Sequence, residues 1–142
     1  MLVKELMSNA PVSLEAEEPV AAAARIMRER NIGALPVCDA GGKLVGMLTD
    51  RDIVIRCIAS GASAENVRVE DIMTRGAVTA ETAEPLDAAL TRMEREQIRR
   101  LPVTEGGRLV GMLSLADVAR TGRLAMETAD ALSKITSNIC RK

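Results

Sequence analysis

Two segments of the chain carry apolar residues at helical spacing, and each is followed by two short apolar runs broken by glycines. Val20, Ala23 or Ala24, and Met27 fall three or four positions apart, and Leu86, Ala89 or Leu90, and Met93 repeat that spacing. Each set predicts a helix with one buried face. Pro19 and Pro85 stand at the head of these segments, after acidic residues, and are expected in the first helical turn, where a missing N–H costs nothing. Short extended stretches are expected just upstream, around Val12–Ser13 and Val78–Thr79. Downstream, "ALPVC" and "LVGML" flank Asp-Ala-Gly-Gly, while "LPVT" and "LVGML" flank Glu-Gly-Gly. Both read as hairpins: strand, tight turn, strand. A second helix is expected to begin at Thr49 in one case and Ser114 in the other, giving the order β-α-β-β-α twice.

The order recurs because the sequence does. Residues 3–54 lie over 69–119 with one deletion, at Ala40. A unit of about 50 residues is marginal as an independent core, so the copies are expected to share a hydrophobic interface about a pseudo-twofold axis. The fold class is therefore mixed α/β (α+β), two β-α-β-β-α repeats followed by a C-terminal helix. The expected organisation is repeat 1 over 1–56, a linker over 57–68 ("CIASGASAENVR"), repeat 2 over 69–121, and a helix and tail over 122–142. In that last segment Leu124, Thr128, Leu132, Ile135 and Ile139 fall on one face, suited to packing on the chain's own domain or on a second subunit.

Composition narrows the chemistry. Lys plus Arg number 19 and Asp plus Glu 20, leaving no global positive field, so nucleic acid is not an expected partner. No apolar run approaches a membrane span, and Lys4 and Glu5 interrupt what would be the core of a signal peptide, so a cytoplasmic setting without membrane contact is expected. Histidine, Phe, Tyr and Trp are all absent, which removes Ser/His/Asp and Cys/His nucleophilic sites, tyrosine acids and His-containing zinc sites. No catalytic residue, metal ligand or required cofactor is assigned. Cys38, Cys57 and Cys140 lack CxxC spacing and read as free thiols.

The repeated heptapeptide carries the main chemical question. "GMLTDRD" at 46–52 returns as "GMLSLAD" at 111–117, keeping the glycine, the hydroxyl and the aspartate. Thr49 with Asp52, and Ser114 with Asp117, have capping-box spacing, in which the hydroxyl accepts an N–H and the acid reaches back. On that reading Gly46 and Gly111 allow a close backbone approach within a strand. The same geometry also suits a ligand, because a hydroxyl and free N–H groups at a helix start hold a phosphate while a nearby carboxylate accepts from a ribose diol.

The doubled β-α-β-β-α unit, the "LPV" strand before a glycine-containing hairpin and the G-h-h-[ST]-x-x-D motif, present in both copies over residues 3–121, resemble a CBS-domain pair, the module named after cystathionine β-synthase. The resemblance implies a regulatory module, not an enzyme, whose clefts bind adenosine-containing ligands: AMP, ADP, ATP or S-adenosylmethionine. It implies ribose contacts from Asp52 and Asp117, with Thr49 and Ser114 near the ribose or phosphate. It also implies that each site is completed from the other repeat: Thr74, Thr79, Arg99 and Arg100 at the Asp52 cleft, and Ser8, Ser13, Gly33 and Ala34 at the Asp117 cleft. Arg51 and the Arg99–Arg100 pair match positions where similar proteins place cations against phosphates, so tighter nucleotide binding is expected on the Asp52 side; a solvated or ion-paired role for these arginines is the alternative, and bulky Arg99 is also suited to blocking part of the cleft. Without aromatics the base must rest on aliphatic groups and be read by backbone N–H and C=O groups. A homodimer, or a separate effector protein, is the implied recipient of the signal. Two other readings stay open: a structural or interaction module with empty clefts, and a thiol-based redox or metal sensor built from the three cysteines.

Overall fold

The computed structural model describes residues 1–120 and 125–139, side chains of 125–128 and 138–139 excepted. Helix α1 (Val20–Arg30) buries Val20, Ala23 and Met27, and helix α4 (Leu86–Glu96) buries Leu86, Ala89, Leu90 and Met93, as their spacing requires. Each stops at a residue in the left-handed conformation, Asn31 at φ 54° and Gln97 at φ 58°. Pro19 and Pro85 stand one residue earlier than expected, as N-caps outside the first turn. Their ψ values, 147° and 141°, are extended, so the chain turns helical only at the following residue.

The strands form two sheets. In the first, β2 (Leu14–Glu15) runs parallel to β3 (Ala34–Cys38), which pairs antiparallel with β4 (Leu44–Thr49). The second repeats this with β5 (Ala80–Glu81), β6 (Arg100–Glu105) and β7 (Arg108–Ser114). It also gains a fourth strand from far upstream, because β1 (Ser8–Asn9) pairs antiparallel with β7, Ser8 opposite Met112 and Asn9 opposite Gly111. The equivalent stretch ahead of the second repeat behaves reciprocally: after the short helix α3 (Val69–Ile72), Thr74 exchanges backbone hydrogen bonds with Met47 of β4 at 2.8 and 2.9 Å. The compact units therefore cut across the sequence repeats. One is Val12–Ala77; the other joins Met1–Pro11 to Val78–Lys142.

Each unit has its own aliphatic core. Leu14, Leu35, Val37, Leu48 and Cys57 are buried in the first, and Val3, Leu86, Met93, Leu101 and Leu113 in the second. Thr49 opens helix α2 (Asp50–Asp52), which widens into a π-helical turn over Ile53–Ile58 and leaves Val54, Ile55 and Ile58 exposed. Helix thus persists two residues into the expected linker, because fully buried Cys57 is anchored in the core. The rest of that stretch is no free tether: Val67 and Ala64 carbonyls accept from the first N–H groups of α1, Val20 and Ala21, at 2.9 and 2.8 Å.

In the second unit α5 (Leu115–Arg120) is followed by α6 (Ala125–Ile139), which packs on α4 and α5 of its own unit. Among its described side chains Ala131 and Ile135 are buried, while Leu132, expected on the buried face, is 39% exposed. Leu124 and the Thr128 and Ile139 side chains lie outside the described residues. Among the described residues, no helix is long and apolar enough to cross a membrane.

Candidate functional site

Both capping boxes are formed. Thr49 Oγ1 accepts from Asp52 N at 3.0 Å while Asp52 Oδ2 accepts from Thr49 N at 3.0 Å. In the other copy Ser114 Oγ accepts from Asp117 N at 3.0 Å, and Asp117 Oδ2 accepts from Ser114 N at 3.3 Å. Only one oxygen of each carboxylate is used in this way. Oδ1 of Asp52 lies 3.9 Å from Arg56 Nε, and Oδ1 of Asp117 accepts from Arg120 Nη1 at 3.3 Å. Arg120 is largely exposed, so its contact is weakly held, whereas Arg56 is also anchored through Nη1 to the carbonyls of Ile72 and Met73 at 3.1 and 3.3 Å.

The glycines that open the motif are places of contact with a distant backbone. A Cβ on Gly46 would stand 2.8 Å from both the Thr74 carbonyl oxygen and Met73 Sδ; one on Gly111 would stand 2.7 Å from both the Ser8 carbonyl oxygen and Met7 Sδ. The close approach anticipated within the strand is thus made by the segment leading into the opposite repeat, which brings Thr74 into the unit of Asp52 and Ser8 into the unit of Asp117.

Ala34 is in register with Thr49, and Gly33 O accepts from Asp50 N at 2.9 Å; Arg100 is in register with Ser114, and Arg99 O accepts from Leu115 N at 2.9 Å. Gly33–Ala34 therefore sit at the start of α2, and Arg99–Arg100 at the start of α5, because each hairpin delivers its first strand's leading residues to its own helix. Ser13 falls in the unit of Asp52 and Thr79 in that of Asp117. Ser13 hydrogen-bonds the Cys38 thiol, and the Thr79 carbonyl accepts from Arg92 Nη1 at 2.7 Å. The expected charge asymmetry divides accordingly. Arg51 stays with Asp52, beside Asp50, while the arginine pair serves the Ser114 end.

A cavity of about 290 Å³ opens there, lined by Arg99, Arg100, Ser114, Leu115, Ala116, Ala119 and Leu132. Its lining mixes cationic, hydroxyl-bearing and aliphatic residues, with no acidic side chain among the described ones. Leu132 was not legible as a site residue. It belongs to α6, outside both repeats, and its only signal was an apolar position on an amphipathic face.

Cys38 and Cys57 are buried and free, and Cys140 lies outside the described residues. Burial pushes the Cys38 thiol above its ordinary range, with the Asp39 charge acting the same way and the Ser13 hydrogen bond against it. Among the described residues no group of three or more His, Cys, Asp or Glu is placed to hold a metal ion.

A doubled α/β fold, each hairpin feeding a hydroxyl-x-x-Asp helix start and each compact unit taking in the leading segment of the other sequence repeat, defines a tandem-repeat module. The family model described as CBS domain matches residues 3–58 and 69–123, and the chain belongs to the CBS domain family. It is 37% identical over 117 residues to Hypoxic response protein 1 of Mycobacterium tuberculosis, covering 82% of each chain. It is also 36% identical over 121 residues to the L-aspartate semialdehyde sulfurtransferase of Methanocaldococcus jannaschii, covering 84% of this chain but 23% of that enzyme. CBS pairs of this kind thus occur in short proteins and as parts of longer enzymes. Among solved structures, Hypoxic Response Protein I with two coordinated zinc ions aligns with a TM-score of 0.78 at 36% identity, over 84% of this chain and 98% of that one. The CBS domain pair of protein MJ0100, in complex with 5'-methylthioadenosine and S-adenosylmethionine, aligns with a TM-score of 0.74 at 34% identity, over 85% and 94%.

Proposed function

We propose that this chain is a regulatory module that binds an adenosine-containing nucleotide, with Asp117 and Asp52 accepting from ribose hydroxyls and Ser114 and Thr49 beside them. The observation that carries the reading is the cavity at Ser114, whose lining combines two arginines and a serine with leucine and alanine side chains. That is the complement of a phosphorylated nucleoside. The adenosine ligands held by the MJ0100 pair support the ligand class. Arg99 and Arg100 favour an anionic phosphoryl group, as in AMP, ADP or ATP, over the cationic sulfonium of S-adenosylmethionine. Each charge-assisted contact contributes about 1.5 to 3 kcal/mol when desolvated, and less at these exposed positions. The arginine pair thus favours a phosphoryl group at the second unit, as Arg51 does beside Asp52. Occupancy acts on a second copy of the chain or on a separate effector protein through a difference in affinity between two states.

Calorimetry with AMP, ATP and S-adenosylmethionine tests the reading directly. Saturable AMP or ATP binding, lost in Asp117→Ala, is the expected result. A second reading, a purely structural module, draws on the two completed capping boxes: there Asp117→Ala lowers stability by about 1 kcal/mol, and no nucleotide gives heat with the unmutated protein.

A further inference from the structure

Helix α6 lies beyond the stretch matched by the family model, which ends at residue 123, yet it reaches the candidate cavity. Its position is fixed by the neighbouring face. Ala131 and Ile135 are 0% and 1% exposed in the core of the second unit, and Lys134 Nζ lies 3.7 Å from Glu94 Oε2 of α4. Leu132 follows Ala131 and so points about 100° around the helix from it, into the lining of the cavity.

The aliphatic end of that cavity is made by Leu115, Ala116, Ala119 and Leu132. Leu115 is 4% exposed and already committed to the core, and each alanine offers one methyl group. Leu132, at 39% exposed, is the one large apolar side chain in the lining with surface left to bury. In a chain with no aromatic residue, a purine laid against this wall must find its apolar contact there.

We infer that Leu132 contacts the ligand and closes the apolar side of the pocket, so that nucleotide binding and docking of α6 stabilise each other. Helix α6 then carries the occupancy of the pocket to the surface of the molecule, since whatever binds the docked arrangement preferentially must also strengthen it. The inference rests on the nucleotide reading above.

The test pairs AMP calorimetry with hydrogen exchange of α6 on the unmutated protein, Leu132→Ala, Leu132→Met and Asp117→Ala. Expected results are AMP affinity weakened about fivefold in Leu132→Ala, held in Leu132→Met and abolished in Asp117→Ala. AMP should slow exchange across 129–137 in the unmutated protein and less so in Leu132→Ala, whose own melting temperature stays close to the parent's because the side chain is partly exposed. If Asp117→Ala abolishes AMP binding while Leu132→Ala binds normally and α6 exchange ignores AMP, the inference fails and the nucleotide reading stands. If AMP, ATP and S-adenosylmethionine all fail to bind the unmutated protein, both fall.

Discussion

At Asp52 and Asp117 the cap uses Oδ2 and leaves Oδ1 facing an arginine, so the proposed ribose contact would share a side chain that already serves folding. That double use was legible, since a capping box is a local pattern of four residues. The glycines were half legible: a close approach was expected, but its source sits in another part of the chain. Gly46→Ala and Gly111→Ala each drive a methyl into a backbone carbonyl that cannot rotate away. Each is expected to cost about 1 to 3 kcal/mol, read as a lower urea midpoint, with Gly111→Ala also weakening protection of the Ser8–Asn9 amides. Cys38 gives a pH signature. Its raised folded pKa means the native state holds the proton more tightly than the unfolded chain. The contribution is fully present below the ordinary thiol range and is lost as pH climbs through the folded value. Denaturation midpoints measured across the alkaline range should fall more steeply in the parent than in Cys38→Ala.

Among the elements, the two hairpins share an irregularity that decides the site. Register shifts between Val37 and Cys38 in one and between Val103 and Thr104 in the other. Each bulge moves the pairing by one residue, and a one-residue slip exchanges the faces of a strand. Without it Ala34 would face Leu48 and Arg100 would face Leu113; with it they meet Thr49 and Ser114, the hydroxyls of the two caps. Strand, turn and helix could be read from apolar spacing, but the bulge could not: the extra residue is Val45 or Val110, inside the same Leu-Val-Gly run in both copies, and only the pairing reveals it. Helix α4 is held to its leading loop by Arg92, whose guanidinium donates to Glu84 at 2.7 and 3.1 Å and to the Thr79 carbonyl at 2.7 Å. The Glu84 hydrogen bond raises the Arg92 pKa, so the charge is permanent. Replacing Arg92 by Met keeps the aliphatic stem and removes three hydrogen bonds; a loss of about 1.5 to 3 kcal/mol is expected, checked by thermal unfolding.

For the whole molecule, the repeat was plain from sequence, whereas the exchange of leading segments between compact units was legible only as an implication of family resemblance. Nothing in the apolar spacing of Met1–Pro11 says which sheet it joins, because two residues of strand, Ser8–Asn9, pair as readily in pattern with either hairpin. The exchange orders events in time. During synthesis Val12–Ala77 is a continuous stretch that is finished while the second hairpin is still unmade. Met1–Pro11 is made first and placed late: its sheet partner, Arg108–Ser114, is among the last strand residues to leave the ribosome. Until then Val3, fully buried in the finished protein, has no core to enter, so the earliest residues of the chain are the ones that complete its second half.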